Sequence, residues 1–71
     1  MTAMRQVLIY QDEEGGWCAE CPSLPGCISE GDSREDAIRN IKEAVELYID
    51  VLLEDGRPVP SDYRHAFLTA V

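Results

Sequence analysis

The residues between Ser33 and Gly56 repeat with the period of an α-helix and carry a signal at each end, so the rest of the chain must pack around one long rod. Ile38, Ile41, Val45, Tyr48 and Leu52 recur at three- and four-residue steps, which places them on one face. Ala37, Ala44, Ile49, Val51 and Leu53 widen that face toward the end. Ser33 is a good N-cap, and Asp36 three residues on can complete a weak capping box; Asp32 with Glu35 offers the same pattern one residue earlier. Glu35 and Asp36 suit the positive end of the helix dipole. Glu35–Arg39 and Lys42–Glu46 are opposite charges at i, i+4. After Asp55, Gly56 supplies a left-handed cap. A helix of about 22 residues is ~33 Å long at 1.5 Å per residue.

Short strands precede it. Met4 to Tyr10 is rich in β-branched and aromatic residues and apolar on both faces, which predicts a central strand covered on each side. Gln11 to Gly16 is polar and ends in Gly-Gly, a hairpin loop. Trp17 to Cys21 forms the second strand, with Trp17, Ala19 and Cys21 on one face and Cys18 and Glu20 on the other. Pro22 ends regular pairing. Pro25-Gly26 suits the centre of a type II turn, because Gly accepts positive φ at the second position. Cys27 to Glu30 follows as a third strand. Beyond the helix, Arg57-Pro58-Val59-Pro60 is a stiff connector, and His65 to Val71 alternates as a returning strand. The expected architecture is α+β in the order βββαβ, an antiparallel meander plus a returning strand, with the helix on one face. Gly16, Pro22, Pro25, Gly26, Cys27 and Ser33 are read as structural.

At 71 residues the chain makes one domain, spanning residues 1–71. A domain of this size buries only about 60% of its unfolded surface, and oligomerisation is a common remedy. The helix is longer than three short strands can cover, and Tyr48 to Leu53 is apolar nearly all round. Tyr48, Ile49, Leu52 and Leu53 are therefore expected at a homo-oligomer interface, in a dimer or tetramer.

Charge narrows the function. Fourteen Asp and Glu against six Lys and Arg give a formal net charge of −8. Nucleic-acid binding draws its affinity from neutralising phosphates, so direct binding of DNA or RNA is not expected. Acidity can serve solubility alone, or attract a basic partner. The longest apolar run, Val7 to Tyr10, is too short to span a bilayer, and Met1 to Gln6 shows no signal-peptide stretch, so no membrane contact and a cytoplasmic location are expected.

The residues offer little chemistry. Phosphate-binding loops, nucleophile elbows and zinc-protease motifs are missing. Cys18 and Cys21 have C-x-x-C spacing, but on a strand they point to opposite faces, and the sole histidine, His65, is distant in sequence. Small buried hydrophobes are the better account of Cys18, Cys21 and Cys27, whose odd number fits a reducing compartment. A nucleophilic Cys–His pair would need Cys27 or Cys18 beside His65. Asp12, Glu13 and Glu14 sit together without the spacing of a calcium loop, which favours a solvated loop. No catalytic residue, metal or cofactor is assigned.

The run Gly15-Gly16-Trp17-Cys18-Ala19-Glu20-Cys21-Pro22-Ser23-Leu24-Pro25-Gly26-Cys27 resembles the core of HicB antitoxins, which show a Gly-aromatic strand leading into Pro-Asp-Leu-Pro-Gly-Cys. Gly31-Asp32-Ser33-Arg34-Glu35-Asp36-Ala37-Ile38 resembles the family's helix start, and Gly56 with Pro58-Val59-Pro60 its helix exit. Ser23, Ser33 and Asp36 stand where the family has Asp, Thr and Glu.

The resemblance implies a partial ribonuclease-H-like fold without nuclease carboxylates. It also implies an antitoxin role toward a HicA-type toxin, a small basic protein that cuts messenger RNA with a histidine. Family members typically add a C-terminal DNA-binding domain, which is not expected in this chain. On this reading the protein is not an enzyme. It sequesters its partner by contact, with Glu13, Glu14, Glu20, Glu30 and Asp32 as candidate contacts. The alternative is a stand-alone regulatory or structural oligomer with no toxin partner.

Overall fold

The computed structural model describes residues 4–71; Met1 to Ala3, part of the stretch read for a targeting signal, lie outside the described residues. Three antiparallel strands, β1 (Leu8–Gln11), β2 (Trp17–Glu20) and β3 (Ile28–Gly31), are followed by one helix, α1 (Arg34–Glu54). Sheet order is β1-β2-β3. Ile9 faces Ala19, which faces Ser29.

The two connections follow from their residues. In the β1–β2 loop the Asp12 amide donates to the Gly16 carbonyl at 2.8 Å, and Asp12 Oδ1 accepts from the amides of Glu14 and Gly16 at 2.9 Å each. A Cβ on Gly16 would stand 2.9 Å from Asp12 Oδ2, so this carboxylate can fold back over the loop only because residue 16 is glycine. Between β2 and β3 two turns run in series. Leu24 N–H donates to the Cys21 carbonyl and Cys27 N–H to the Leu24 carbonyl, both at 3.0 Å. Gly26 has φ +80°, as the expected type II turn requires.

The caps also match expectation. Ser33 is extended and its hydroxyl accepts from Asp36 N–H at 3.1 Å. The Asp36 carboxylate does not complete the capping box: it pairs with Arg39 one turn on, and this replaces the Glu35–Arg39 pair. At the other end the amides of Gly56 and Arg57 donate to the carbonyls of Leu53 and Leu52, a Schellman closure with Gly56 at φ +66°.

The core lies between α1 and one face of the sheet. Ala19, Cys21, Leu24, Cys27, Ala37, Ile41 and Val45 are buried together, with Ile9, Trp17, Ala44, Tyr48 and Ile49 packed around them. Tyr48 also donates its hydroxyl to the Pro25 carbonyl at 2.8 Å, tying the helix to the turn. Gly31 is the point of closest approach: an added Cβ would meet the backbone of Asp36 at 2.8 Å and that of Ala37 at 2.9 Å and nearer.

Two expectations need correction. Residues 65–71 form no strand, so the described architecture is βββα rather than βββαβ. A strand needs a paired edge, and here the segment is held only up to Tyr63. Arg5 donates to the Pro60 carbonyl at 2.6 Å, and Gln6 donates to Asp62 Oδ2 and the Tyr63 carbonyl at 3.0 and 3.1 Å. Phe67, Leu68 and Val71 stand exposed. In consequence β1 is an edge strand, not a central one, and β2 occupies the middle. The apolar face of β1 opposite the helix is left uncovered.

Candidate functional site

Uncovered surface and acidic charge meet at one corner of the molecule. On the sheet face away from α1, the side chains of Leu8, Glu20 and Ile28 form one row across the three strands, and Tyr10, Cys18 and Glu30 form the next. Glu20 thus lies between two apolar neighbours. Ile28 is 61% and Tyr10 42% exposed, so this face is apolar, acidic and open. The Tyr10 phenol is held above its ordinary pKa, first by the Cys18 thiol beside it, then by desolvation and by Glu20.

At the same end of the sheet, on its helix side, lies an acidic cleft of about 420 Å³. The hairpin loop contributes Asp12 and Gly16, β2 contributes Trp17, and the β3–α1 junction contributes Glu30, Gly31, Asp32 and Asp36; Arg39 and Asn40 line the helix side. Asn40 Nδ2 donates to the Glu30 carbonyl at 2.7 Å and fixes the junction against the helix. Arg39, the cleft's one cation, is paired with Asp36. With Asp36 engaged by Arg39, Asp12, Glu30 and Asp32 leave the lining negative, which attracts a cationic side chain.

Of the residues expected at a partner surface, Glu30 and Asp32 line the cleft, and Glu13 and Glu14 are exposed in the neighbouring loop. Glu20 stands apart, in the middle of the open face. Sequence reasoning missed Asp12, Asp36 and Trp17. The sequence assigns Asp12 to its loop and Asp36 to the helix dipole; only the tertiary fold brings both to the lining of one cleft.

Of the residues expected at an oligomer interface, Leu52 is buried, and Tyr48 and Ile49 pack against the core. Leu53 is exposed, together with Leu47 and Val51.

The cysteines behave as packing residues. Cys21 and Cys27 are buried, and Cys18 lies half-buried on the opposite face from Cys21. Burial pushes the Cys27 thiol up, with Cys21 adding to the effect, which disfavours the reactive thiolate. Among the described residues no three His, Cys, Asp or Glu side chains gather as a metal site, and no helix is long and apolar enough to cross a membrane.

Comparison with known proteins identifies the family. A family model described as HicB-like antitoxin of bacterial toxin–antitoxin system matches residues 6–68. A UPF0150 protein of Synechocystis is 50% identical over 79% of this chain and 71% of its own length. A UPF0150 protein of Thermoplasma acidophilum is 39% identical over 79% of this chain and 81% of its own. A protein of Photorhabdus laumondii named Antitoxin HicB 2 is 33% identical over 92% of this chain, but this match spans only 48% of that protein. No solved structure matches the chain significantly. With a family match over nearly its whole length, the chain belongs to the HicB-like antitoxin family of bacterial toxin–antitoxin systems.

Proposed function

We propose that the protein is the antitoxin of a toxin–antitoxin pair and sequesters a small, basic, HicA-type messenger-RNA-cleaving toxin by contact, with no chemistry of its own. The observation that carries this reading is the acidic cleft lined by Asp12, Glu30, Asp32 and Asp36, with the Glu30 side chain also on the open sheet face beside Tyr10 and Cys18. Complementary charge steers a basic protein to such a corner, and the apolar rows hold it there. Glu13 and Glu14 extend the acidic field, and Glu20 meets a cation brought over the open face. Inhibition then works by covering the toxin's active or RNA-binding surface.

Co-expression tests this directly. The basic protein encoded beside this gene should arrest growth alone, and this chain should restore growth and co-purify with it. Restored growth without a complex, or no rescue, contradicts the reading. A second reading, a stand-alone regulatory or structural oligomer, is favoured by one observation, the exposed apolar C-terminal segment. It predicts self-association with no toxin bound.

A further inference from the structure

We propose that residues 64–71 are a strap that closes over the apolar groove of its own chain, between the start of β1 and α1, with Phe67 as the side chain that fills it. The groove shares no lining residue with the acidic cleft, so the proposal does not depend on the toxin.

The groove has a volume of about 660 Å³. Ile41 and Val45 of α1 form its buried floor, and Val7 and Ile38, 37% and 41% exposed, are its open walls. Apolar walls left open to water favour a cover. The strap offers matching surface. Phe67 is 89% exposed, and Val71, on the same side of an extended segment, is fully exposed. Side chains make this contact, so it calls for no backbone pairing and no strand in residues 65–71.

A polar clamp decides which segment covers the groove. Arg5 lines the groove and donates to the hydroxyl of buried Ser23 at 3.0 Å and to the Pro60 carbonyl at 2.6 Å. Gln6 donates to Asp62 Oδ2 and to the Tyr63 carbonyl. The chain therefore leaves its last fastened residue, Tyr63, at the rim of the groove. Eight extended residues reach up to ~26 Å, at about 3.3 Å each. Ile38 to Val45 covers only about 10 Å of helix, so the strap reaches with slack. A segment tethered this closely meets its own groove at millimolar effective concentration, ahead of any second copy. Charge agrees. Every Asp and Glu of this chain of net charge −8 lies within residues 1–63, whereas 64–71 carry Arg64 and His65. The acidic body draws the strap in and repels other bodies.

Nuclear magnetic resonance of the full chain at several concentrations tests the proposal. The Phe67 ring should show Overhauser contacts to the methyl groups of Val7, Ile38 and Ile41, unchanged on dilution. Backbone order parameters at 66–70 should stand near about 0.85 and fall below about 0.6 in Phe67→Asp and in Ile38→Asp. Circular dichroism should stay unchanged in both variants, because neither side chain belongs to the buried core. Absence of the contacts, or order parameters below about 0.6 in the parent, overturns the proposal. So do contacts that vanish on dilution, which place the segment on a second copy, and a strap that stays ordered in Ile38→Asp.

Discussion

Replacing Gly31 by Ala tests how closely β3 and α1 approach. Gly31 has no positive φ, so its backbone would accept a side chain, and a Gly→Ala change would otherwise stabilise by about 0.4–1 kcal/mol through the unfolded chain. The obstacle is steric. The new methyl would lie 2.8 Å from the Asp36 carbonyl carbon and 2.9 Å from Ala37 Cα. These are backbone atoms of the first helical turn, which Ser33 and the Asn40–Glu30 bond hold in place, so they cannot rotate away. Overpacking of this kind costs about 1–3 kcal/mol, and rigid neighbours place Gly31→Ala near the top of that range. For a domain of this size that lowers Tm by roughly 10–20 °C. Gly16→Ala is the control. Its obstacle is a single carboxylate that can swing away after losing its loop bonds, so it should cost less, about 1 kcal/mol. Thermal melts followed by circular dichroism measure both. A Gly31→Ala melt at or above that of the parent, or below it by less than Gly16→Ala, refutes the close-approach argument.

Ser33→Ala removes the side-chain N-cap of α1 and should cost about 1 kcal/mol, a fall of roughly 4–8 °C in Tm; an unchanged melt would show that the cap is dispensable. Asp62 has its carboxyl held below the usual range, first by the Gln6 amide. Its folded pKa is depressed, so its contribution is present above the unfolded value near about pH 4 and is lost as pH falls through the folded value. Protection of the Gln6 amide, relative to its intrinsic exchange rate, should therefore fall in acid below that point, and Asp62→Asn should abolish the fall; pH-independent protection in the parent contradicts the assignment.

The parts of the fold that were legible in the sequence are those set by local chemistry. Pro25-Gly26 specifies its turn, Ser33 its cap and Gly56 its Schellman closure, because each acts within a few residues. Tertiary neighbours decide the rest. Gly31 reads as a strand breaker before a cap, and only the crossing of β3 over α1 shows why the position needs a glycine. The alternation from His65 to Val71 was visible, but a period cannot state which edge will pair with it, and one chain leaves it unpaired. The central placement of β1 failed for the same reason, since apolar residues on both faces also describe an edge strand with an open face. At the acidic corner Glu30 and Asp32 stood out, while Asp12 and Trp17 join them only through the hairpin.

The central claim is that an acidic surface captures a basic toxin. Calorimetric titration of this chain with a small basic toxin of the HicA type, at low and raised salt, tests it most directly when repeated with Glu30→Lys/Asp32→Lys. The account predicts saturable binding that weakens with salt and falls at least tenfold in the double variant, both of whose residues are exposed and outside the core. Absence of binding, or binding indifferent to both salt and the charge reversal, contradicts it.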